Sequence, residues 1–447
     1  MTDTSAMPQS AREGEHPLLS GGKALQRRKA REWRMKAYGI AAIVLSLTML
    51  AVMLFTIIRD GTSAFYQARL VFPVTIDAAV VDKAGNRNPE EMAKVTTVGY
   101  QRLLTKGFVD HLAATGIDVG DLTDKELDAL ISRDAAGRLR AQVMADPSLV
   151  GQVIEVDAYA NGRIDGYLKG RVTRETAERD TLVTPAQLDV ADRLVAAGIL
   201  SLNFNMGFLT NPDASDVRPE SSGLGVAIIG SIYMMVLVAL MTVPVGVAAS
   251  IYLEEFAPKN WLTDLIEVNI NNLAAVPSII FGLFGAAVFI LYFKLPISSP
   301  LVGGLVLSLM TLPTVIIATR ASLKAIPPSI REAALGIGAS KLQAITDHVL
   351  PLALPGILTA MILGVAQALG ETGPLLLIGM SAFVASVPGS MLDQSTALPV
   401  QIYLWEANEL RNFFEGRGSA AIIVLLAIML GLNAVAIWLR KRFETRW

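Results

Sequence analysis

Residues 328–351 read PSIREAALGIGASKLQAITDHVLP. This polar, helix-prone stretch separates two long apolar segments, LVGGLVLSLMTLPTVIIAT (301–319) and LALPGILTAMILGVAQALG (352–370). Ile330, Ala333, Ala334 and Ile337 recur at i, i+3, i+4 and i+7, which places one apolar stripe along a short helix. Ser329 and Glu332 have the spacing of a capping box, which would start that helix. Gly336 and Gly338 would end it or admit a close neighbour. A short amphipathic helix held between two apolar segments suits a groove on a soluble partner. An amphipathic helix lying on a membrane surface is the plainer alternative. The flanking segments favour docking.

Composition places the rest of the chain in a membrane. Its 447 residues are 52% hydrophobic and 17% charged, with a mean hydropathy of +0.48. A spanning helix needs roughly 20 mostly apolar residues. Six segments qualify, at about 38–58, 224–252, 269–292, 301–318, 355–378 and 419–439. The second is longer than a bilayer is thick, so Pro244 is expected to kink it or mark its end. The chain has no cysteine, which excludes disulfides and thiolate metal sites.

Orientation follows from charge. Residues 1–36 carry eight Lys or Arg, and the RKRFETRW tail carries four more. Cytosolic flanks are enriched in these residues, so both termini are expected inside, which six spans permit. The first apolar segment is too long for a signal-peptide core and lacks a convincing cleavage site, so it reads as an uncleaved anchor. The expected organisation is a basic cytosolic tail (1–36), a first span (37–58), an extracytoplasmic segment (59–220) and a five-span core (221–447).

Within 59–220, RLVFPVTIDAAVV and QVIEVDAYA alternate and are rich in β-branched residues, so they read as strands. PEEMAKVTTVGYQRLLTKGFVDHLA and TDKELDALISRDAAGRLRAQVM read as helices. The expected fold is therefore an all-α polytopic membrane protein with an inserted α+β domain.

Catalytic patterns are missing. There is no G-x-x-x-x-G-K-[ST], so the chain is not expected to bind ATP through a P-loop. His16, His111 and His348 lie in three separate regions, which gives no metal site. No catalytic residue, bound cofactor or nucleic-acid partner is expected, and the lipid bilayer is the implied surrounding.

The 328–351 stretch resembles the EAA loop of ABC importer permeases: Glu-Ala-Ala, three residues, Gly, nine residues, Ile-x-Leu-Pro. Glu332, Ala333, Ala334, Gly338, Leu350 and Pro351 match it, whereas His348 stands where the pattern has Ile. Four further stretches narrow the resemblance: GLGVAIIGSIYMMVLVALMTVPVGVAASIYLEEF (223–256), NLAAVPSIIFGLFG (272–285), ALGETGPLLLIG (368–379) and ALPVQIYLW (397–405). Together they are similar to the A-type permeases of bacterial phosphate ABC importers, over about residues 221–445. Relatives often have GETAPLL where this chain has GETGPLL.

That resemblance implies a type I ABC importer permease fold and a bacterial inner-membrane location. It implies a second homologous permease, a dimer of ATP-binding subunits that consume the ATP, and a periplasmic phosphate-binding protein. It also implies that the EAA loop is the helix resting on the ATPase. Segment 59–220 lies outside the usual core, and no role carries over to it. A permease for molybdate, tungstate or sulfate would share the fold and the EAA loop but lack ALPVQIY. A receptor with an external sensor domain would need a cytosolic output domain, whereas this chain runs only eight residues past its last span.

Glu371 is a carboxylate in an apolar segment. Such residues cost on the order of 2.5–3.5 kcal/mol on insertion scales and usually face a bundle interior or a water-filled path. Gly373 and Pro374 follow and would free backbone groups to line a cavity. Glu371 and Thr372 are thus candidates for a transport path; the alternative is a structural carboxylate at a helix break. Many relatives carry arginine one turn earlier, where this chain has Gln367. Arg320 is one candidate to supply the positive charge instead, although a positive-inside flank explains it better. Asn269, Asn271 and Asn272 are expected to cap the third span, and Gly282 and Gly285 to pack against a neighbouring helix.

Overall fold

A computed structural model describes residues 23–83, 85–214, 219–381, 383–407 and 411–443. Residues 1–22 of the basic N-terminal tail, His16 among them, lie outside the described residues, as do the last four residues of the C-terminal tail. The chain forms two compact units, Met1–Thr56 and Ile57–Trp447.

Helix α1 (Lys23–Gly61) supplies, through residue 56, the described part of the first unit. Its apolar side chains are exposed on every side, as befits a helix whose solvent is lipid. Ser46, Thr48 and Thr56 donate their hydroxyls to the carbonyls four residues back, at 2.8–2.9 Å. Their polar groups are thereby satisfied inside an apolar run.

The second unit opens with an α+β domain. Strand β1 (Tyr66–Thr75) is followed by helices α2 (Thr97–Thr115) and α3 (Ala135–Ala145), strand β2 (Val153–Tyr159), helix α4 (Pro185–Ala196) and strand β3 (Leu200–Phe204). The sheet is antiparallel, in the order β2-β1-β3. Alternation in β1 buries Ala68, Leu70, Phe72 and Val74 completely or nearly so. The α2 residues Tyr100, Leu104, Phe108 and Leu112 meet them in one core. The Phe72 and Phe108 rings are 5.0 Å apart. Burying each such side chain stabilises the fold by about 1.5–3 kcal/mol.

Several boundaries differ from the expected ones. The strand read through 69–81 stops at Thr75, because the Asp77 carboxylate accepts from the Ala79 N–H and caps a helical turn. The helix read over 89–113 is interrupted at 93–96, and the one read over 123–144 at 129–134, where Ile131 bridges Ala160. Strand β3 was not anticipated. It pairs with β1 only over Tyr66–Leu70. Pro73 therefore sits where β2 is the strand's sole neighbour, which is how a central strand tolerates a residue without an N–H.

The helical region follows: α5 (Gly225–Ile251), α6 (Trp261–Ala274), α7 (Ser278–Gly285), α8 (Pro300–Lys324), α9 (Pro328–Gly336), α10 (Leu350–Gly370), α11 (Gly373–Leu377), α12 (Leu398–Glu406) and α13 (Arg411–Phe443). Among the described residues five helices are long and apolar enough to cross a membrane, and a sixth if the bent pair 261–292 counts as one span. Helix α8 is central and packs on α5, α10 and α6. Gly303 and Gly304 admit Met234 and Leu237 of α5, and Gly246 of α5 admits Val315. Small residues that let helices approach are the usual packing device where lipid offers no hydrophobic contrast. The Thr242 and Thr311 hydroxyls share a hydrogen bond across this seam, and Ser250 donates to the Ile316 carbonyl.

The third apolar segment is bent by 101° between α6 and α7. Pro277 cannot donate an N–H and disfavours helix at Val276. The helix begins earlier than expected, with Asn260 accepting from the Thr263 N–H as the cap. Asn269 is therefore mid-helix, donating to the Leu265 carbonyl, and the three asparagines of that stretch are not caps. Pro244 does not end α5, which continues to Ile251 and then through a π-helical turn, Tyr252–Phe256.

Candidate functional site

Two regions collect the residues singled out in the sequence. The first is the loop between α8 and α10. Helix α9 starts with Pro328 at its first turn, where the missing N–H costs nothing and the fixed φ suits a helix. The N-cap is Pro327, and Ser329 and Glu332 do not form the expected capping box. A capping box appears instead further along the loop, between Ser340 and Gln343. Ile337 closes α9, and Gly338 follows with φ +91°, a left-handed conformation that a side chain rarely adopts. The Ala339 N–H reaches back to the Ala334 carbonyl. A π-helical run, Ala344–Val349, leads into α10, with Leu350 and Pro351 half-buried at its start.

Of the matched residues, Ala334 is buried, while Glu332, Ala333 and Gly338 are exposed. Leu335, Ile337 and Leu342 expose 49%, 83% and 59% of their surface. They form an apolar face on a loop of otherwise charged and polar residues.

The end of α8 and this loop are fastened to the rest of the bundle by ion pairs that were not read from the sequence. Arg320 donates to Glu254 (3.3 Å) and Glu267 (2.5 Å), and Lys324 approaches Glu254 at 3.5 Å. Arg331 holds Glu255. Arg320 thus spends its donors on two carboxylates that belong to the end of α5 and to α6. The one legible signal was the acidic run at 254–267 against basic residues at 320, 324 and 331, whose pairing needs contacts more than fifty residues apart.

The second region is the break between α10 and α11. Helix α10 ends at Gly370, Glu371 is extended (φ −78°, ψ 127°), and Thr372 precedes α11 with Pro374 in its first turn. Glu371 and Thr372 are half-buried, and Gln367 is exposed one turn earlier. The break lies against the bent third segment. A Cβ on Gly282 of α7 would lie 2.6 Å from the Pro374 Cα, so only glycine lets α7 and α11 touch there. Gly285 likewise makes room for Val306 of α8. Phe281, Val306, Leu369, Leu375 and Ile378 seal the contact.

The ALPVQIYLW stretch forms α12. Its Gln401 and Trp405 donate to the Asp213 carboxylate at 2.9 and 3.3 Å. Burial pushes the Asp213 carboxyl up, opposed by these bonds and by those from Ser222 and the Ala214 N–H. At the other end of α12, Leu398 N–H donates to the Ser231 hydroxyl of α5.

Broken, mutually packed apolar helices with an exposed helical loop between two of them define a polytopic membrane-protein fold. The comparisons agree. Residues 242–447 match the family model described as binding-protein-dependent transport system inner membrane component. Residues 22–178 match a domain of unknown function, DUF3333. The phosphate transport system permease protein PstA of Yersinia pestis is 31% identical over 48% of this chain and 71% of its own length. PstA of Pasteurella multocida is 30% identical over 54% of this chain and 84% of its own length. The probable ABC transporter permease protein YqgI of Bacillus subtilis is 26% identical over 55% and 86%. The chain belongs to the PstA family of ABC transporter permeases, with an additional N-terminal region of the DUF3333 type.

Proposed function

We propose that this chain is the permease subunit of an ATP-driven phosphate importer in a bacterial inner membrane, forming the path with a second, homologous permease. The observation that carries this reading is α9 and the turn after it, where Leu335, Ile337 and Leu342 are uncovered, held through Arg331 and Glu255 beside a bundle of broken spans. Phosphate as the cargo follows from the names of the relatives.

In this reading Glu332, Ala333 and Gly338 present the docking face to a separate ATPase dimer, the buried Ala334 packs beneath it, and Leu350 and Pro351 anchor the loop to α10. Glu371, Thr372 and Gln367 border the path at the α10–α11 break. Arg320, the remaining candidate, braces α5, α6 and α8 through Glu254 and Glu267. A phosphate-binding protein delivers cargo on the opposite side, where 59–220 stands.

Two results test this. Gly338→Asp forces a side chain into a left-handed conformation, at roughly 1–2 kcal/mol, and adds charge to the docking face. With the ATPase, second permease and binding protein co-expressed, phosphate uptake should fall at least tenfold while the protein stays in the membrane. Undiminished uptake would refute the assignment of α9. A cysteine introduced at the exposed Glu175 should react with an impermeant thiol reagent from outside intact spheroplasts. Reaction only after lysis would invert the topology.

A further inference from the structure

The guanidinium of Arg331 is the most completely used in the α9 region. Its Nη2 donates to Glu255 Oε1 at 2.6 Å and its Nε to Oε1 and Oε2 at 3.0 and 3.2 Å, a side-on fork. Nη1 donates to the Ile326 carbonyl at 2.8 Å and Nη2 to the Leu323 carbonyl at 3.0 Å. Three elements therefore meet on one side chain: α9, which carries Arg331; the π-helical turn that prolongs α5, which carries Glu255; and the final turn of α8 with its following residues. The carbonyls at a helix C-terminus lack intrahelical partners and carry partial negative charge, so a cation there is well placed. The Glu255 side chain is only 8% exposed and that of Arg331 23%, so water does little to weaken the pair.

The adjacent carboxylate points elsewhere. Glu254 turns to Arg320 on α8, which also holds Glu267 on α6. Two consecutive residues at the end of α5 thus grip two different helices. Rotating that end against α8 would stretch both grips at once. A bidentate arginine–carboxylate contact fixes direction as well as distance, so displacement of α9 is passed to α5 rather than absorbed by a flexible loop.

We propose that Arg331 and Glu255 form the strut that transmits movement of α9 to α5, and hence that this pair sets how much transport each ATP yields. The proposal rests on reading α9 as the helix that meets the ATPase. Both residues are positioning residues: neither touches cargo or nucleotide.

The test uses the complete reconstituted transporter and two readouts, phosphate carried per ATP hydrolysed and crosslinking of a cysteine at Ile337 to the ATPase. Glu255→Gln and Arg331→Met should each still crosslink, and each should lower the phosphate-to-ATP ratio at least tenfold. The double variant should be no worse than either single one, because both remove the same contact. Arg331→Lys, which keeps charge without the fork, should recover part of the ratio.

Crosslinked singles with an unchanged ratio would overturn the strut and leave α9's docking intact. Losses that multiply in the double variant would overturn it too. No crosslink in the otherwise unaltered protein would instead remove the docking reading on which the strut stands.

Discussion

Replacing Arg417 with methionine should loosen the α+β domain from the helical bundle and lower the protein's stability by about 3–5 kcal/mol, the usual cost of removing one member of a buried charged network. Arg417 lies at the start of the last apolar helix yet is only 5% exposed. Its guanidinium donates to the Ser222 carbonyl, to the Glu220 carbonyl at 3.0 Å and to the Gln67 side chain at 3.2 Å. Gln67 is a fully buried residue of β1, so one side chain ties α13 both to the sheet and to the segment entering α5.

The surroundings make the loss harder to absorb. Burial pushes the Glu220 carboxyl up, against the hydrogen bond from Ser132. Burial also holds Lys169 down to about 8, against the attraction of Asp165. Arg171 lies over Gly416, where any side chain would collide with it. Methionine fits the volume but leaves three acceptors without a donor. The expected result is a lower unfolding midpoint in detergent and rapid protease cleavage between 205 and 222, with the membrane helices still inserted. Arg417→Lys should fall between the two, since an ammonium keeps the charge without the planar fork. Wild-type protease resistance in the methionine variant would show that the junction does not depend on this residue.

What could be read from the chain, and what could not, divides along the range of the interactions. The apolar segments and the EAA-type loop were legible because they are local: twenty apolar residues or a fixed spacing suffices. The α+β insertion was legible in kind, from alternation in 69–74 and 152–160. Its third strand was not, because LSLNF is five residues long and is held as a strand only by pairing with Tyr66–Leu70, more than a hundred residues away.

The capping signals show the same limit. Ser329 and Glu332 had the right spacing, but Pro327 and Pro328 had already fixed the entry into α9. Asn269–Asn272 looked like a helix start until Asn260 was seen to begin that helix. The pairing of Glu254, Glu255 and Glu267 with Arg320 and Arg331 was hidden for the same reason as β3: opposed charged stretches are visible in the chain, but which residues meet is not. The α10–α11 break was anticipated at Gly373–Pro374 and falls two residues earlier, because proline is comfortable in the first turn of α11 and the chain has to extend before it.

Glu371 stands at that break, and its substitution by glutamine should nearly abolish phosphate uptake while leaving assembly intact. The residue is extended between two helices, half-buried, and next to a contact that Gly282 and Pro374 make as close as backbone allows. A carboxylate in mid-membrane costs on the order of 2.5–3.5 kcal/mol on insertion scales, and a chain carries such a cost where the charge has a task. Repelling an anion is not that task. A carboxylate accepts hydrogen bonds only, so it can receive the hydroxyl of partly protonated phosphate or hold a cation contributed by the second permease. Glutamine keeps the shape and packing, removes the charge and presents an amide in place of one acceptor. If Glu371 serves transport, uptake by the assembled complex should drop by two orders of magnitude with its ATPase still active. If Glu371 instead holds the break in shape, the complex should assemble poorly and both activities should fall together. Uptake, assembly and ATPase measured on one preparation separate these outcomes, and wild-type values for all three would exclude both roles.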